Sequence, residues 1–292
     1  MKFTLPARKP FNFLSVIHSH GWYQLAPFHF DEASNTLQYV LQLANGRVIE
    51  LHMREGVDGV AVETEKLDKL ERREVAGKVA WMFGLDMDFS RFYAAARGEP
   101  KLARLKARAL GRVLRSPTLF EDVIKTILTT NTLWTATRNM TRKLVNEFGA
   151  PLGEEPKEHA FPTPAAIAAS SLEALKEKVR VGYRASAIHR LGVRVATGEL
   201  DLESLKTSTL PTLELRRQLL TLNGVGPYAA ANLLMILGRT DFIPIDSYAL
   251  KMVSHEWYKG KPVTAKEVEK RFEKWGEFKG LAFWFWDWSY KG

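Results

Sequence analysis

Apolar and polar positions alternate over the first part of the chain and then change to a spacing of three to four residues. Thr36-Leu37-Gln38-Tyr39-Val40-Leu41-Gln42-Leu43 and Arg47-Val48-Ile49-Glu50-Leu51-His52-Met53 flank Asn45-Gly46, a strong signal for a β-hairpin. Gly59-Val60-Ala61-Val62-Glu63-Thr64 reads as a further strand. Residues 1–88 are therefore expected to form a small antiparallel sheet with a helix near 65–83. From about residue 89 the spacing is helical. Ser116-Pro117 predicts an N-cap followed by proline at the first helical position, with Leu119, Phe120, Val123, Ile124, Ile127 and Leu128 on one face. The next helix is expected to run to Phe148 and stop at Gly149. Thr163-Pro164 starts another, Gly198 ends one that begins near Arg184, and Thr264-x-x-Glu267 is a capping-box pattern. Segment 150–163, rich in Pro, Gly and Glu, reads as a surface connection. The expected class is α+β: a sheet domain over 1–88 and a mostly helical body over 89–292.

The most informative stretch is Leu222-Asn223-Gly224-Val225-Gly226-Pro227-Tyr228, followed by Phe242-Ile243-Pro244-Ile245-Asp246-Ser247-Tyr248. Two glycines allow backbone N–H groups to approach an anion without side chains in the way, and the carboxylate of Asp246 comes 20 residues after Gly226. Gly224-x-Gly226-x-x-Ala229 also satisfies a loose dinucleotide-binding fingerprint, which requires a buried strand before the first glycine. The preceding segment has its apolar residues at Leu215, Leu219, Leu220 and Leu222 with charges between them, a helical spacing, and Pro227 suits the first turn of a following helix. Helix, tight turn, helix over 215–237 fits better than a nucleotide-cofactor site.

Composition narrows the class. Forty-two Lys and Arg against 33 Asp and Glu leave a formal charge of +9, which favours a polyanionic partner. With no cysteine, disulfides, thiolate zinc sites and cysteine-held iron–sulfur clusters are excluded. The seven histidines show no metal-ligand spacing, His18-x-His20 being the nearest, so no catalytic metal is implied. The first residues lack the apolar core of a secretion signal, and no 18-residue apolar run is present. An intracellular protein without a membrane segment is expected.

The hairpin residues and Asp246, together with Arg115-Ser116-Pro117-Thr118-Leu119-Phe120-Glu121-Asp122, Thr129-Thr130-Asn131 and Val181-Gly182-Tyr183-Arg184-Ala185, resemble the helix–hairpin–helix DNA glycosylase superfamily. With the N-terminal sheet, the resemblance covers most of the chain and is greatest to the 3-methyladenine glycosylase II and 8-oxoguanine glycosylase branches. It implies a two-lobed helical body with the lesion pocket between the lobes, a role in base excision repair, and a monomer acting on double-stranded DNA that carries a damaged base. It implies no required cofactor, although a structural monovalent cation at the hairpin is compatible with it. In bifunctional branches a lysine in the second hairpin helix attacks the sugar. Tyr228 stands there in this chain, so hydrolysis by water without strand cleavage is expected.

The resemblance also assigns residues, each with an ordinary alternative. Asp246 is the expected catalytic carboxylate, placed to stabilise the positive charge that builds on the sugar as the N-glycosidic bond breaks, to orient water or to accept its proton; it would equally make a good helix N-cap. Asn223, Gly224, Val225, Gly226 and Tyr228 would hold a backbone phosphate, or simply form an interhelical turn. Tyr183 and Arg184 sit where a wedge and a contact to the opposite base are placed, and Asn131 matches an asparagine that enters the gap left by base flipping; Tyr and Arg at a helix start are also common surface residues. Among the aromatic residues, Trp22, Trp284 and Trp286 are candidates to line a pocket through stacking and cation–π attraction, although most rings of Leu281–Tyr290 are expected in the core. Asn232, one helical turn after Tyr228, faces the same side and is a candidate base contact. The leading expectation is a monofunctional glycosylase for alkylated purines. An oxidised purine such as 8-oxoguanine is the second substrate class, and a non-catalytic helix–hairpin–helix DNA-binding protein is the rival from another class.

Overall fold

The computed structural model describes residues 1–154 and 158–290. Strands β1 (Lys2–Pro6), β2 (Phe28–Asp31), β3 (Thr36–Gln42), β4 (Val48–Glu55) and β5 (Gly59–Glu63) form a five-stranded antiparallel sheet in the order β1-β5-β4-β3-β2. The helices are α1 (Phe13–Ile17), α2 (Lys69–Phe83), α3 (Ser90–Ala95), α4 (Leu119–Thr129), α5 (Trp134–Phe148), α6 (Pro164–Ala169), α7 (Leu172–Ala174), α8 (Ala185–Ala196), α9 (Thr212–Leu220), α10 (Pro227–Ile236), α11 (Ser247–Trp257), α12 (Ala265–Phe272) and α13 (Lys279–Trp284). This is the expected α+β class, a sheet first and then a mostly helical body. Among the described residues no helix is long and apolar enough to cross a membrane.

The chain divides into two units. One comprises Met1–Met87, Arg112–Thr207 and Leu222–Gly224; the other comprises Asp88–Gly111, Ser208–Thr221 and the chain from Val225. In the first, Gly46 makes the β3–β4 turn at φ 89°, and Leu37 and Leu41 pair with Met53 and Ile49. Every second residue of β4 (Ile49, Leu51, Met53) is fully buried, which follows from the two-residue period of a strand. Two edge strands, β1 and β2, were not among the expected ones. Each is short, and each is completed by a partner distant in sequence or by a hairpin that carries the stronger signal.

The helix expected near 65–83 starts at Lys69, where Asp68 and Glu71 form a capping box. Helix α4 corrects two expectations. Its N-cap is Thr118, whose hydroxyl accepts from the Glu121 N–H; Ser116 lies two residues before it, with its N–H bound to Asp122 Oδ1 at 2.9 Å. Nor does it bury one face only: every residue from Leu119 to Leu128 is buried. Within it Lys125 lies 2.6 Å from Glu121, to which the Tyr39 hydroxyl also donates at 2.6 Å. Helix α5 stops at Gly149, where a Cβ would lie 2.0 Å from the Ala160 carbonyl oxygen. Thr163 caps α6 with Pro164 at its first position, and Gly198 follows the end of α8 at φ 77°. Of the connection 150–163, residues 155–157 lie outside the described residues, and Pro151 bridges to His159 across them.

In the second unit α10 is buried along most of its length, from Ala229 to Ile236 except Asn232. Phe272, at the end of α12, packs in edge-to-face contact with Phe283 and Trp286. Gly280 lets α13 approach the chain closely: a Cβ there would meet the carbonyl oxygens of Phe242 and Thr240 at 2.4 and 2.7 Å.

Candidate active site

Helix α9 precedes the glycines, so no strand leads into Gly224 and the dinucleotide fingerprint fails on its own terms. Gly224 sits at φ 81°, in the left-handed region that favours glycine. A Cβ on it would lie 3.0 Å from that of Ala187 and 3.4 Å from Ile127 Cγ2, so the tip of the turn is also closely packed. Gly226 differs: it is extended (φ −91°, ψ −175°), it caps α10, and nothing lies within 4 Å of where its Cβ would be. The backbone N–H groups of Asn223, Gly224, Val225 and Gly226 donate to no described residue. Asn223, Gly224 and Gly226 are exposed and Val225 is buried as the anchor of the turn. Unsatisfied donors at the entrance to a helix are a ready site for an anion.

Asp246 is the N-cap of α11. Its Oδ1 accepts from the Ala249 N–H at 2.8 Å, which fixes the carboxylate plane and leaves Oδ2 without a bond from any described residue. The side chain is half-buried, after Pro244 and Ile245. Capping and availability for chemistry thus coexist. On α10, the Asn232 amide donates to the Tyr228 carbonyl oxygen at 3.1 Å, and both residues are half-buried.

In the first unit Asn131, Tyr183 and Arg184 come together. The Asn131 amide donates to the Tyr183 hydroxyl at 3.3 Å. Asn131 has φ 47°, a conformation that asparagine tolerates better than most residues. Arg184 is 7% exposed; its guanidinium donates to the carbonyl oxygens of Thr130 and Asn131 and lies 4.5 Å from the centre of the Tyr183 ring. It is directed at the Asn131 turn and holds that turn in shape. Tyr183, 66% exposed, is the member of the pair that projects outward. Hydrogen bonds to Thr130 and then Asn131 hold its phenol below the usual value.

The aromatic candidates separate by environment. Trp22 is buried and its indole N–H donates to Asp122 Oδ1 at 2.8 Å. Asp122 has no partner at Oδ2, and burial pushes its pKa up to about 6 despite the bonds from Trp22 and Ser116. The His20 ring lies 4.6 Å from that of Trp22; burial, against a bond to the Leu114 carbonyl, lowers its pKa to about 4. Trp286 is also buried, with its N–H towards Glu256 at 3.5 Å and its ring beside Trp257 and Phe272. Trp284 is half-buried, whereas its neighbours Phe283 and Phe285 are buried. Among the described residues no group of three or more His, Asp or Glu is arranged to hold a metal.

Two features escaped the sequence reading. Leu133 and Trp134, next to Asn131, are exposed by 80% and 36%. Trp134 is anchored by its N–H to Gln24 at 2.7 Å and by packing over Gly21, where a Cβ would clash at 2.2 Å. The buried carboxylates of Glu121 and Asp122 were visible only as part of a motif. Their role beneath Tyr39 and Trp22 depends on strands and turns about a hundred residues away.

Comparison with known proteins adds independent support. The family model described as "HhH-GPD superfamily base excision DNA repair protein" matches residues 124–278. A DNA-3-methyladenine glycosylase of Bacillus subtilis (strain 168) is 26% identical over 232 residues, covering 76% of this chain and 75% of the relative. The structure of a 3-methyladenine DNA glycosylase from Archaeoglobus fulgidus superposes with a TM-score of 0.76 at 22% identity, covering 98% of this chain and 97% of that one. An 8-oxoguanine glycosylase/lyase of Clostridium acetobutylicum, in complex with double-stranded DNA containing cytosine opposite 8-oxoG, gives 0.71 at 21% identity, covering 94% and 90%. The two structures share the fold. Because the family match extends over more than half of the chain, through the open turn and Asp246 alike, the chain belongs to the HhH-GPD superfamily of base excision DNA repair proteins.

Proposed function

We propose that the protein is a monofunctional DNA glycosylase that removes a damaged purine, alkylated purines first, from double-stranded DNA and leaves an abasic site. The observation that carries this reading is the open turn Asn223–Gly226, whose N–H groups donate to no described residue, followed 20 residues later by a capped aspartate with one oxygen uncommitted. The amides hold a phosphate beside the lesion, a contact that positions without reading sequence. As the C1′–N bond breaks, its electron pair leaves with the base and positive charge develops on the sugar. Asp246 stabilises that charge and orients a water whose oxygen bonds to C1′ while its proton passes to the carboxylate or to solvent. Tyr228 carries a phenol where a lyase needs an amine, so no Schiff base forms and the strand stays intact. An alkylated purine that is already cationic leaves as a neutral base and needs no dedicated acid. The 3-methyladenine activity named for the Bacillus relative supports that class. In the unit that holds Asp246, Asn232 and Trp284 are the proposed base contacts, with Trp286 as a buried support; in the other unit, Tyr183 with Asn131 is the proposed filler of the vacated stack, and Trp22 is held in the core by Asp122.

One observation favours an oxidised purine as a second substrate class: Tyr183 and Arg184 come together with Asn131, and that tyrosine–arginine motif resembles the 8-oxoguanine branch. A monovalent cation at the hairpin also fits the oxygen donors present, because the Gly224 and Val225 carbonyls accept no backbone bond from a described residue. The test is a panel of duplexes with single lesions. Base release that nicks only after alkali supports the proposal, and the lesion released distinguishes the two purine classes. Nicking without alkali overturns the assignment of water as nucleophile, and no release from any lesion leaves a DNA-binding protein.

A further inference from the structure

One groove in the second unit is used by neither the hairpin nor Asp246. Its volume is about 600 Å³, and its walls are the last turn of α11, the basic end of α12, the segment around Lys101 and the ring of Trp286. Its charges do not balance. Both acids are taken, Glu256 by Lys101 at 2.6 Å and Glu99 by Lys274 at 2.9 Å. Lys270 and Arg271, both exposed, form no ion pair among the described residues. Arg271 instead lies over the rings of Tyr258 at 4.8 Å and Trp257 at 5.6 Å, its Nε donating to the Tyr258 hydroxyl at 3.3 Å. Two cations without a close ion pair, Arg271 feeling only the field of Glu267 one helical turn back, suit a sugar–phosphate backbone beside these aromatic faces, in which the anion meets the cations and the sugar packs on a ring. A neutral peptide or a small neutral ligand would leave that charge unanswered.

Position adds to the argument. Asp246 caps one end of α11 and Tyr258 caps the other, so the groove begins about 18 Å along the helix from Asp246 at 1.5 Å per residue. That distance corresponds to about five nucleotide steps of one strand.

We propose that this groove is an accessory subsite for the DNA strand flanking the lesion, with Lys270 and Arg271 holding a phosphate and Tyr258 packing against its sugar. The inference rests on the reading of the protein as acting on DNA, and the experiment separates the two. Affinity is measured for duplexes with a fixed central lesion and flanks of decreasing length, using the wild type, the double variant Lys270→Gln/Arg271→Gln, and Gly226→Val. Both groove residues are exposed, so the double variant keeps its fold. The wild type is expected to lose affinity once one flank falls below about five nucleotides. The double variant starts weaker on long flanks and loses nothing more on shortening. Its salt dependence is shallower by about 0.9 in log–log slope, or about eightfold in affinity per decade of salt. A double variant with the same flank dependence as the wild type overturns the subsite. If Gly226→Val is also without effect at every length, the DNA-binding reading itself fails.

Discussion

Substituting Gly226 by valine separates folding from DNA binding at the turn. The residue is extended at φ −91°, which valine adopts freely, and a Cβ there meets nothing within 4 Å. The fold therefore loses only a few tenths of a kcal/mol, as expected at an unstrained surface position. The branched side chain nevertheless occupies the space through which a phosphate reaches the amides. Hydrogen bonds to a charged acceptor are worth about 1.5–3 kcal/mol, so loss of that contact corresponds to about one to two orders of magnitude in affinity. The control is Gly224→Ala. At φ 81° an alanine costs about 1–2 kcal/mol in backbone strain, and its methyl is 3.0 Å from that of Ala187. Thermal melting and fluorescence anisotropy on undamaged and lesion-bearing duplexes, run side by side, give both quantities. Gly224→Ala should melt lower by several degrees. Gly226→Val should melt like the wild type and bind every duplex more weakly by the same factor. Wild-type affinity in Gly226→Val, or loss confined to one sequence, refutes the phosphate site.

Three further outcomes follow from other parts of the structure. Asp122 takes up its proton near pH 6 in the fold against a usual 3.8, so folding stability falls as pH rises through that window. His20 is neutral down to about pH 4 against a usual 6.5, so stability falls as pH drops through its own window. Each amounts to about 3 kcal/mol; the two oppose each other between pH 4 and 6. Asp122→Asn should therefore unmask a loss of stability on acidification in urea titrations, and an unchanged pH profile would contradict the buried-carboxyl account. Arg184→Met strips the carbonyls of Thr130 and Asn131 of their donor and should lower base release from duplex DNA more than from single-stranded DNA, with Arg184→Lys restoring part of it. Equal loss on both substrates would make Arg184 merely structural. Tyr183→Ala removes an exposed ring and should leave the melting temperature within about 2 °C while weakening retention of a flipped fluorescent base analogue; unchanged retention argues against the wedge.

Much of the local structure could be read from residue chemistry alone. Asp246 announces a helix start through its type and its place after Pro244-Ile245, and Thr264 with Glu267 does the same for α12. Asn45-Gly46 fixes one hairpin because the turn demands positive φ. Information that lives between distant segments was not legible. The edge strands β1 and β2 are four or five residues long and owe their order to pairing rather than to their own pattern. Arg184 is a contact to the opposite base by resemblance and a surface residue in the ordinary alternative; its burial depends on carbonyls more than fifty residues earlier. Trp22 offered a ring for a pocket, but Asp122 claims its N–H inside the core. Lys270 and Arg271 carried no signal of their own in the sequence, because the aromatic wall beside them is assembled from α11 and Trp286.

The central claim is that Asp246 acts on the sugar. Asn is as good an N-cap as Asp, so Asp246→Asn keeps the bond to Ala249 and with it the start of α11. Single-turnover base release under saturating enzyme, on a duplex with one alkylated purine, isolates the chemical step. Lesion-DNA affinity within a few-fold of wild type and release slowed by about a hundredfold or more is the expected result. Release at the wild-type rate by a fully bound variant would remove Asp246 from the reaction.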